Sequence, residues 1–365
     1  MGELAQSSDF LDIVLHETPL IDVRAPIEFA KGAFPNAVNL PLMEDEERRL
    51  VGIRYKEAGN DAAVKLGHSL VGGEVKAARV KAWRDFIDAH PDAKLYCFRG
   101  GQRSQISQAW LLEAGKEIVR LKGGYKAFRN YLMDQTERSV ERFAPVVLGG
   151  RTGSGKTLLL HRLEHAIDLE GLANHRGSSF GRTLTPQPTQ IAFENALAYA
   201  LIQKLEAGHQ RLVFEDEGRG VGRVYLPKTL VDYLAAAPLV VLETPLERRV
   251  EITFAEYVSG AQQGYLEAFG AEGTALWRDD MLAAQERIRK RLGGLRHKRL
   301  LEIFDAAWHQ QQHSGTLEAY KPWIVYLLEE YYDPMYDYQI ERNANRIVFR
   351  GEEDAVLSYL MDNRL

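Results

Sequence analysis

Apolar and polar positions along the chain follow two alternating rhythms. Short apolar runs bounded by turn residues occur at 19–24 (PLIDVR), 94–98 (KLYCF), 117–121 (EIVRL), 145–150 (PVVLGG), 211–217 (RLVFEDE), 239–244 (LVVLET) and 346–351 (RIVFRG). Their length and composition read as strands. Between them lie longer amphipathic segments, at 75–89, 104–114, 157–168 and 190–207, that read as helices. Strand and helix in alternation predict a parallel α/β architecture, not a bundle or a sandwich. A charged, strongly helical stretch at 126–143 separates the first three strands from the last four, and 247–335 reads as mostly helical. The expected organisation is therefore a first domain at 1–135, a helical linker at 136–145, and a second domain at 146–365 whose C-terminal region is largely helical.

Composition narrows the class. A chain of 365 residues with 45% hydrophobic content suits two domains, each with its own core. The single cysteine cannot form an intramolecular disulfide, and no Cys/His cluster has zinc spacing, so no structural metal is expected and the compartment expected is the cytoplasm. No basic and apolar leader and no bilayer-length apolar run is visible, so no membrane association is expected. A formal net charge of -5 argues against general nucleic-acid affinity. One local exception is the stretch 285–300, QERIRKRLGGLRHKRL, with Arg287, Arg289, Lys290, Arg291, Arg296, Lys298 and Arg299 against one glutamate. It is a candidate RNA-binding patch, and a solvated helix face is the alternative.

The lone cysteine sits in YCFRGGQRS. Cys97 ends a strand and opens a loop whose Gly100 and Gly101 permit positive φ and close backbone approach. Amides of such a loop converge on one anion, and Arg99 and Arg103 add positive charge that favours a thiolate. The same residues, Cys97 to Arg103, also satisfy the CxxxxxR spacing of cysteine phosphatases.

A second motif is more specific. An apolar strand feeds Gly150-Arg151-Thr152-Gly153-Ser154-Gly155-Lys156-Thr157, a full GxxxxGK[ST] phosphate loop. Its amides suit a di- or triphosphate, with Lys156 on the outer oxygens and Thr157 placed to ligate Mg²⁺. The strand end LVFEDEG offers Glu215, Asp216 and Glu217 as the acidic partner, with Glu215 and Asp216 the candidate metal ligands beside Thr157. Arg219 and Arg223 in the following turn, and Arg248 and Arg249 after the next strand, are candidate arginines for closing over phosphates.

Upstream of the cysteine, LIDVRAPIEFAKGAFPNAVNLPL (20–42) resembles the first half of a rhodanese domain, and VRLKGGYKAF (119–128) resembles its closing strand and turn. The fold expected is thus an N-terminal rhodanese-like parallel-sheet domain, covering about residues 10–132, plus a P-loop NTPase-like α/β domain with a helical extension. With GLANHRGSSFGRTLTPQPTQIAFEN (171–195), FEDEGRGVGRVYLP (214–227) and LLEEYYDPMYDYQ (327–339), the chain as a whole resembles the bacterial tRNA 2-selenouridine synthase family.

That resemblance implies modification of 2-thiouridine at the wobble position of tRNAs for lysine, glutamate and glutamine. Geranyl diphosphate first alkylates the thiocarbonyl sulfur, and selenium derived from selenophosphate then replaces the S-geranyl group. Cys97 would carry the selenium as a perselenide, and the phosphate loop, with Mg²⁺, would bind the diphosphate. A selenophosphate-supplying enzyme is the implied partner, and the chain is expected to be a monomer or weak oligomer. The geranyl tail needs an apolar groove, for which Trp277, Trp308, Trp323, Tyr331, Tyr332, Tyr336 and Tyr338 are candidates, with a core role as the alternative. His175, Arg176 and Phe180 are candidates to contact nucleotide or prenyl donor. The rivals are a P-loop kinase or ATPase with a rhodanese module, a cysteine phosphatase, and a tRNA-binding sulfur carrier.

Overall fold

Alternation in the short apolar runs buries both faces of each strand, and only a sheet covered on both sides satisfies that. The computed structural model describes residues 4–362. The chain forms two compact units, one of residues up to Glu141 together with Pro188–Gly208, the other of Arg142–Gln187 together with the chain from His209 onward.

In the first unit, strands β1 (Gln6–Ser7), β2 (Leu20–Asp22), β3 (Ala37–Asn39), β4 (Lys94–Tyr96) and β5 (Val119–Leu121) form a parallel sheet of order β1-β5-β4-β2-β3. Neighbouring residues on a strand project to opposite faces. Accordingly Ile21 and Leu95 join a core with Trp83, Trp110 and Leu111, while Leu20 and Tyr96 join another with Phe34, Phe128 and Leu132. Helices Asp45–Leu70, Gly73–Ala89 and Gln102–Glu113 carry apolar residues of the first core. The first of these, absent from the strand-and-helix reading, bends at Gly59, where φ is 77°.

The second core is completed by a segment distant in sequence. Helix Gln190–Glu206 supplies Ala198, Tyr199 and Ile202 against Ile13, Phe128 and Leu132, the last two on helix Gly124–Ser139. Residues 188–208, expected in the second domain, therefore pack in the first unit. Buried Asn195 fixes the register: its amide donates to Ala33 O (2.7 Å) and accepts from Arg129 Nη1 (2.7 Å), whose other nitrogen is bound by Glu194. The expected linker at 136–145 is also divided, since Ser139 ends a helix and Ala144 opens a strand.

In the second unit, β6 (Ala144–Gly150), β7 (Ala166–Ile167), β8 (Arg211–Glu215), β11 (Leu239–Leu242) and β12 (Ile347–Gly351) form a parallel sheet of order β12-β11-β6-β8-β7, with β9 (Gly220–Val221) and β10 (Val224–Tyr225) as a separate antiparallel pair. The helix expected at 157–168 stops after Lys156–Leu160. Leu159, Leu160, Leu163 and Ile167 have helical spacing, but β8 has an open edge, and Ala166–Ile167 pair with Val213 and Phe214 there. Asp168 then caps the next short helix through Gly171 N (2.7 Å). The region 247–335 is mostly helical as expected, the helices running on to Arg342, and it builds one core around Trp277, Phe304, Tyr320 and Trp323. Among the described residues no helix is long and apolar enough to cross a membrane.

The returning helix yields a prediction. Asn195→Ala leaves Ala33 O and one arm of Arg129 unpaired, at a cost of roughly 1–3 kcal/mol. Hydrogen exchange should show helix Gln190–Glu206 losing protection with a lowered urea midpoint; full protection in the variant would show that Asn195 does not hold this segment.

Candidate active site

Strand β4 stops at Tyr96, so Cys97 lies one residue beyond the sheet, at the carboxyl edge where open α/β sheets hold ligands. Its backbone is held from two sides. Tyr125 N donates to Cys97 O (2.9 Å) and Lys126 N to Phe98 O (3.0 Å), from the start of helix Gly124–Ser139. Arg120 on β5 donates through Nη1 to Gly100 O (2.8 Å) and through Nε to Gln108 (3.0 Å). Gly100 has φ 66°, and a β-carbon there would come within 2.8 Å of Gly123 N.

The thiol itself is 3% exposed and donates to Ser104 Oγ (3.3 Å), while Ser104 Oγ donates to Gly101 O (3.0 Å). Ser104 lies in the first turn of helix Gln102–Glu113, whose leading amides have no partner within the helix. The sulfur thus meets the Ser104 hydroxyl and the Gly101 carbonyl (3.9 Å), while Cys97 otherwise joins the first apolar core. Ser104, Arg120 and Gln108 were not foreseen, because nothing local marks them; only the fold brings β5 and this helix to the loop.

The two arginines behave differently from the expectation. Arg103 forks onto Glu28 (2.6 and 3.2 Å), which Arg48 also contacts (2.9 Å). Burial pushes the Glu28 carboxyl up, but the hydrogen bond and charge of Arg103, with Arg48, outweigh it and hold the group below its ordinary value. The Arg103 fork that a cysteine phosphatase needs for its phosphate is therefore taken. Arg99 is exposed and lies over the Phe98 ring (5.8 Å). Beside the loop, Met43, Val51, Ala63, Ile106 and Trp110, with Arg103 at the margin, line an apolar cavity of about 120 Å³.

In the second unit, β6 is the central strand and delivers the phosphate loop. Gly150, Gly153 and Gly155 have φ of 152°, 74° and 84°, and a β-carbon on Gly153 would lie 2.4 Å from Thr253 Oγ1. Lys156 Nζ donates to Gly150 O (3.0 Å) and stands 5.8 Å from the Tyr336 ring. The helix behind the loop has five residues, so loop amides and Lys156, and not a long helix dipole, provide the positive field. Thr152 Oγ1 and Ser154 Oγ are buried with no hydrogen-bond partner among the described residues.

Two acidic residues of helix Asp333–Arg342 pin this loop. Arg249, 1% exposed, donates to Thr152 O (2.9 Å) and forks onto Asp333 (2.5 and 3.0 Å). One turn later Asp337 holds Arg151 (2.6 Å). The motif DPMYDYQ thereby acquires a role: Asp333 and Asp337, four apart, face the loop while Tyr336 lines its pocket. Arg249 is a positioning residue, not a lid; Arg248 is exposed, and Arg219 lies over the Tyr225 ring (5.7 Å), outside the pocket lining. Arg223 binds Gln187 through its backbone (2.8 Å).

Of the three expected carboxylates, Glu215 meets Thr157 Oγ1 (3.0 Å). Asp216 does not; alternation carries it past the end of β8 to the Gly149 side, with its Oδ2 3.5 Å from that glycine's ideal β-carbon. Its place is taken by Glu170, which lies 3.3 Å from Thr157 Oγ1, gives its amide to Glu215 Oε2 (3.0 Å) and shares a hydrogen bond with Glu217. Burial and the charge of Glu215 push Glu170 up to about 9, and burial pushes Glu215 up to about 7. Glu170 was missed because it comes from the short helix Leu169–Ala173, 45 residues from Glu215, and stands one position before the quoted motif GLANHRG. Among the described residues no three acidic, cysteine or histidine side chains share metal-ligand spacing.

Of the aromatic candidates for a prenyl groove, Trp277, Trp323, Tyr331 and Tyr332 are core residues, Trp308 packs on that core, Tyr338 is exposed, and Tyr336 lines the phosphate-loop pocket. Phe180 is buried against Trp323. The seven basic residues of 285–300 are all exposed, on two helices, Gly273–Leu292 and Gly294–Ser314, that break at Gly293. Arg289, Arg296 and Arg299 are paired with Glu286, Glu330 and Glu302.

Comparison with known proteins matches the two halves of the chain. The family described as tRNA 2-selenouridine synthase AAA domain matches residues 143–365, and the rhodanese-like domain matches residues 3–131. The tRNA 2-selenouridine synthase of Sulfurovum sp. (strain NBC37-1) is 68% identical over 364 residues, covering 100% of both chains. That of Hydrogenovibrio crunogenus is 55% identical over 97% of this chain and 98% of the relative, and that of Pseudomonas fluorescens 50% identical over 97% of each.

Two outcomes follow from this geometry. Gly124→Ala puts a β-carbon 2.2 Å from Cys97 O at φ 58°, whereas Gly101→Ala meets open space. The first should cost roughly 1–3 kcal/mol or more and speed iodoacetamide labelling of Cys97, the second should do neither; equal behaviour would remove the clamp. The carboxylates set a pH dependence in cation-free buffer. Their folded values lie above the ordinary 4.5, so between about 4.5 and about 9 the folded state binds more protons than the unfolded chain. Stability from this source is complete below pH 4.5 and lost as pH rises through about 7 and then about 9. Glu170→Gln should match wild type in urea midpoint at pH 5 and exceed it at pH 9; a constant separation would exclude the coupling.

Proposed function

The chain belongs to the tRNA 2-selenouridine synthase family, and on that premise we propose that it converts 2-thiouridine at position 34 of tRNA into 2-selenouridine in two steps, with Lys156 serving the first and Cys97 the second. The observation that carries this reading is the pairing, on one chain, of a backbone-clamped thiol with a pinned phosphate loop. Neither a kinase nor a sulfur carrier needs both.

In the first step the thiocarbonyl sulfur attacks the allylic carbon of geranyl diphosphate. A carbon–sulfur bond forms, a carbon–oxygen bond breaks, and diphosphate leaves. Amides of 150–157 and Lys156 would hold that leaving group, the Lys156 ammonium turning from Gly150 O to the departing oxygens. Nucleotide hydrolysis is not required. The unpaired hydroxyls of Thr152 and Ser154 are available to the same oxygens.

The Thr157 hydroxyl and the Glu215 carboxylate, 3.0 Å apart, fit Mg²⁺, which keeps waters and phosphate oxygens and needs few protein ligands. Raised carboxylate values at Glu170 and Glu215 mark a site that favours a proton or a cation. When bound, Mg²⁺ would supply charge for the diphosphate.

In the second step alkylation matters because a thiocarbonyl sulfur is a poor leaving group, whereas geranyl thiolate departs readily. The Cys97 thiolate would take the selenium of selenophosphate, its sulfur–selenium bond forming as the phosphorus–selenium bond breaks and phosphite leaves with the electron pair; the resulting perselenide attacks C2, and the C2–selenium bond forms as the C2–sulfur bond breaks and geranyl thiolate departs. An external thiol then cleaves the sulfur–selenium bond, since the chain has no second cysteine. The apolar cavity lined by Gln102, Arg103 and Ile106 of the helix after the Cys97 loop would take part of the geranyl chain at this stage. The tRNAs for lysine, glutamate and glutamine are the proposed substrates, a selenophosphate-supplying enzyme the partner, and exposed Arg287, Lys290, Arg291 and Lys298 the proposed RNA contacts.

Mass spectrometry of anticodon nucleosides tests the division of labour, using 2-thiouridine-containing tRNA, geranyl diphosphate, Mg²⁺, selenophosphate and a thiol. Wild type should yield 2-selenouridine, Cys97→Ala should stop at the geranylated base, and Lys156→Ala should leave 2-thiouridine with at least about a hundredfold loss of rate. Unchanged nucleosides with consumption of ATP would point to a kinase instead.

A further inference from the structure

Near the phosphate loop, Arg176 and Arg182 have no part in the chemistry above, and Arg287 of the basic stretch acts on Arg182 electrostatically. Residues 175–182 form a narrow reversal in which His175 and Arg182 face each other across an antiparallel bridge and Arg176 N binds Gly181 O (2.9 Å). The reversal is anchored at its tip: Phe180 is buried on Trp323, and Ser178 Oγ lies 2.9 Å from the Tyr257 hydroxyl. From helix Gly273–Leu292, Arg287 reaches over and donates to Ser179 O (2.8 Å). Arg176 lies in the lining of the phosphate-loop pocket, donating to Glu256 O (3.1 Å).

Arg182 and Arg287 are both exposed and form no ion pair among the described residues, and Arg182 has no hydrogen bond through its side chain. The carboxylate in electrostatic reach is Asp280, 3.3 Å from the Tyr265 hydroxyl. His175 Nδ1 is buried without a hydrogen-bond partner among the described residues. Burial and the charges of Arg182 and Arg287 hold the His175 imidazole below its ordinary value, so it stays neutral beside two like charges. Such an arrangement carries uncompensated repulsion that an anion relieves. The positive track continues, because Lys290 and Arg291 follow Arg287 by one helical turn and are likewise exposed and unpaired among the described residues.

We propose that Arg182 and Arg287, with the reversal 175–182 as scaffold, bind a backbone phosphodiester of the tRNA beside the phosphate-loop pocket. This rests on the tRNA-modifying reading and adds a receptor that the basic stretch alone does not reveal. An open, surface-lying track of guanidinium groups suits consecutive phosphates of a strand, whereas a free phosphate requires a closed amide cradle. Arg176 then stands between the bound strand and the diphosphate pocket, where the base to be alkylated must enter.

The test is fluorescence anisotropy with a tRNA anticodon stem-loop, titrated from 50 to 300 mM KCl, using the full chain. R182A/R287A should bind roughly tenfold more weakly at about 100 mM KCl, with the slope of log affinity against log salt reduced by about 1.4–1.8. R182K/R287K should recover most of the slope, and R54A/R84A, which removes two exposed arginines of the first unit, should leave the slope unchanged. Stabilisation by pyrophosphate should persist in R182A/R287A and reports an intact phosphate loop. Wild-type affinity and slope in R182A/R287A would overturn the proposal, as would an equal loss in R54A/R84A. Failure of wild type to bind the stem-loop at all would instead sink the tRNA-modifying reading.

Discussion

A β-carbon on Gly124 would lie 2.2 Å from Cys97 O, and one on Gly153 would lie 2.4 Å from Thr253 Oγ1. Close approach of backbone to its surroundings is the constraint on which both loops depend. Each reactive group must sit among amides that have no partner of their own, and such amides exist only where the chain leaves a strand and turns sharply. Side chains at these turns would push the amides apart and fill the space that a ligand takes. Parallel sheets supply the setting twice, since their strand ends open on one edge.

The turns would not hold their shape unaided. Around the sulfur, Arg120 and Gln108 tie the loop carbonyl of Gly100 to β5, and Arg24, 2% exposed, is locked on fully buried Asp22 under the Tyr125 ring (3.9 Å). Around the phosphate loop, Arg249 and Asp333 do the equivalent work. Buried ion pairs of this kind add little net stability, because desolvation offsets the attraction, yet removing one partner leaves a costly lone charge. Their value here is positional: each fixes a loop carbonyl, and so the direction of the neighbouring amides. Arg103 and Glu28 show the same economy at the edge of the sulfur site.

Both loops were legible in the sequence because their chemistry is local. Consecutive glycines, a lysine, a threonine and a cysteine stand within a few residues, and the spacing alone states what backbone they need. The acidic partner was only half legible. Glu215, Asp216 and Glu217 are adjacent, and their side chains diverge according to where β8 ends, which depends on its pairing with β6. Glu170 joins them through a fold contact that no periodicity announces. The helix expected through residue 168 failed for a related reason: its apolar spacing fits a helix, but the open edge of β8 was a stronger partner.

The sequence by itself determined the parallel α/β class, the family and the two glycine-containing loops, since glycine conformations are properties of short segments. Tertiary structure alone decided which distant groups complete them. Helix Gln190–Glu206 is amphipathic wherever it packs, and only the apolar surface of Ile13, Phe128 and Leu132 assigns it to the first unit. Ser104 under the thiol, Asp333 under the phosphate loop, and Arg182 beside Arg287 are likewise pairings across sequence separations that periodicity cannot report. Burial and charge act through space, and the chain folds before they can choose their partners.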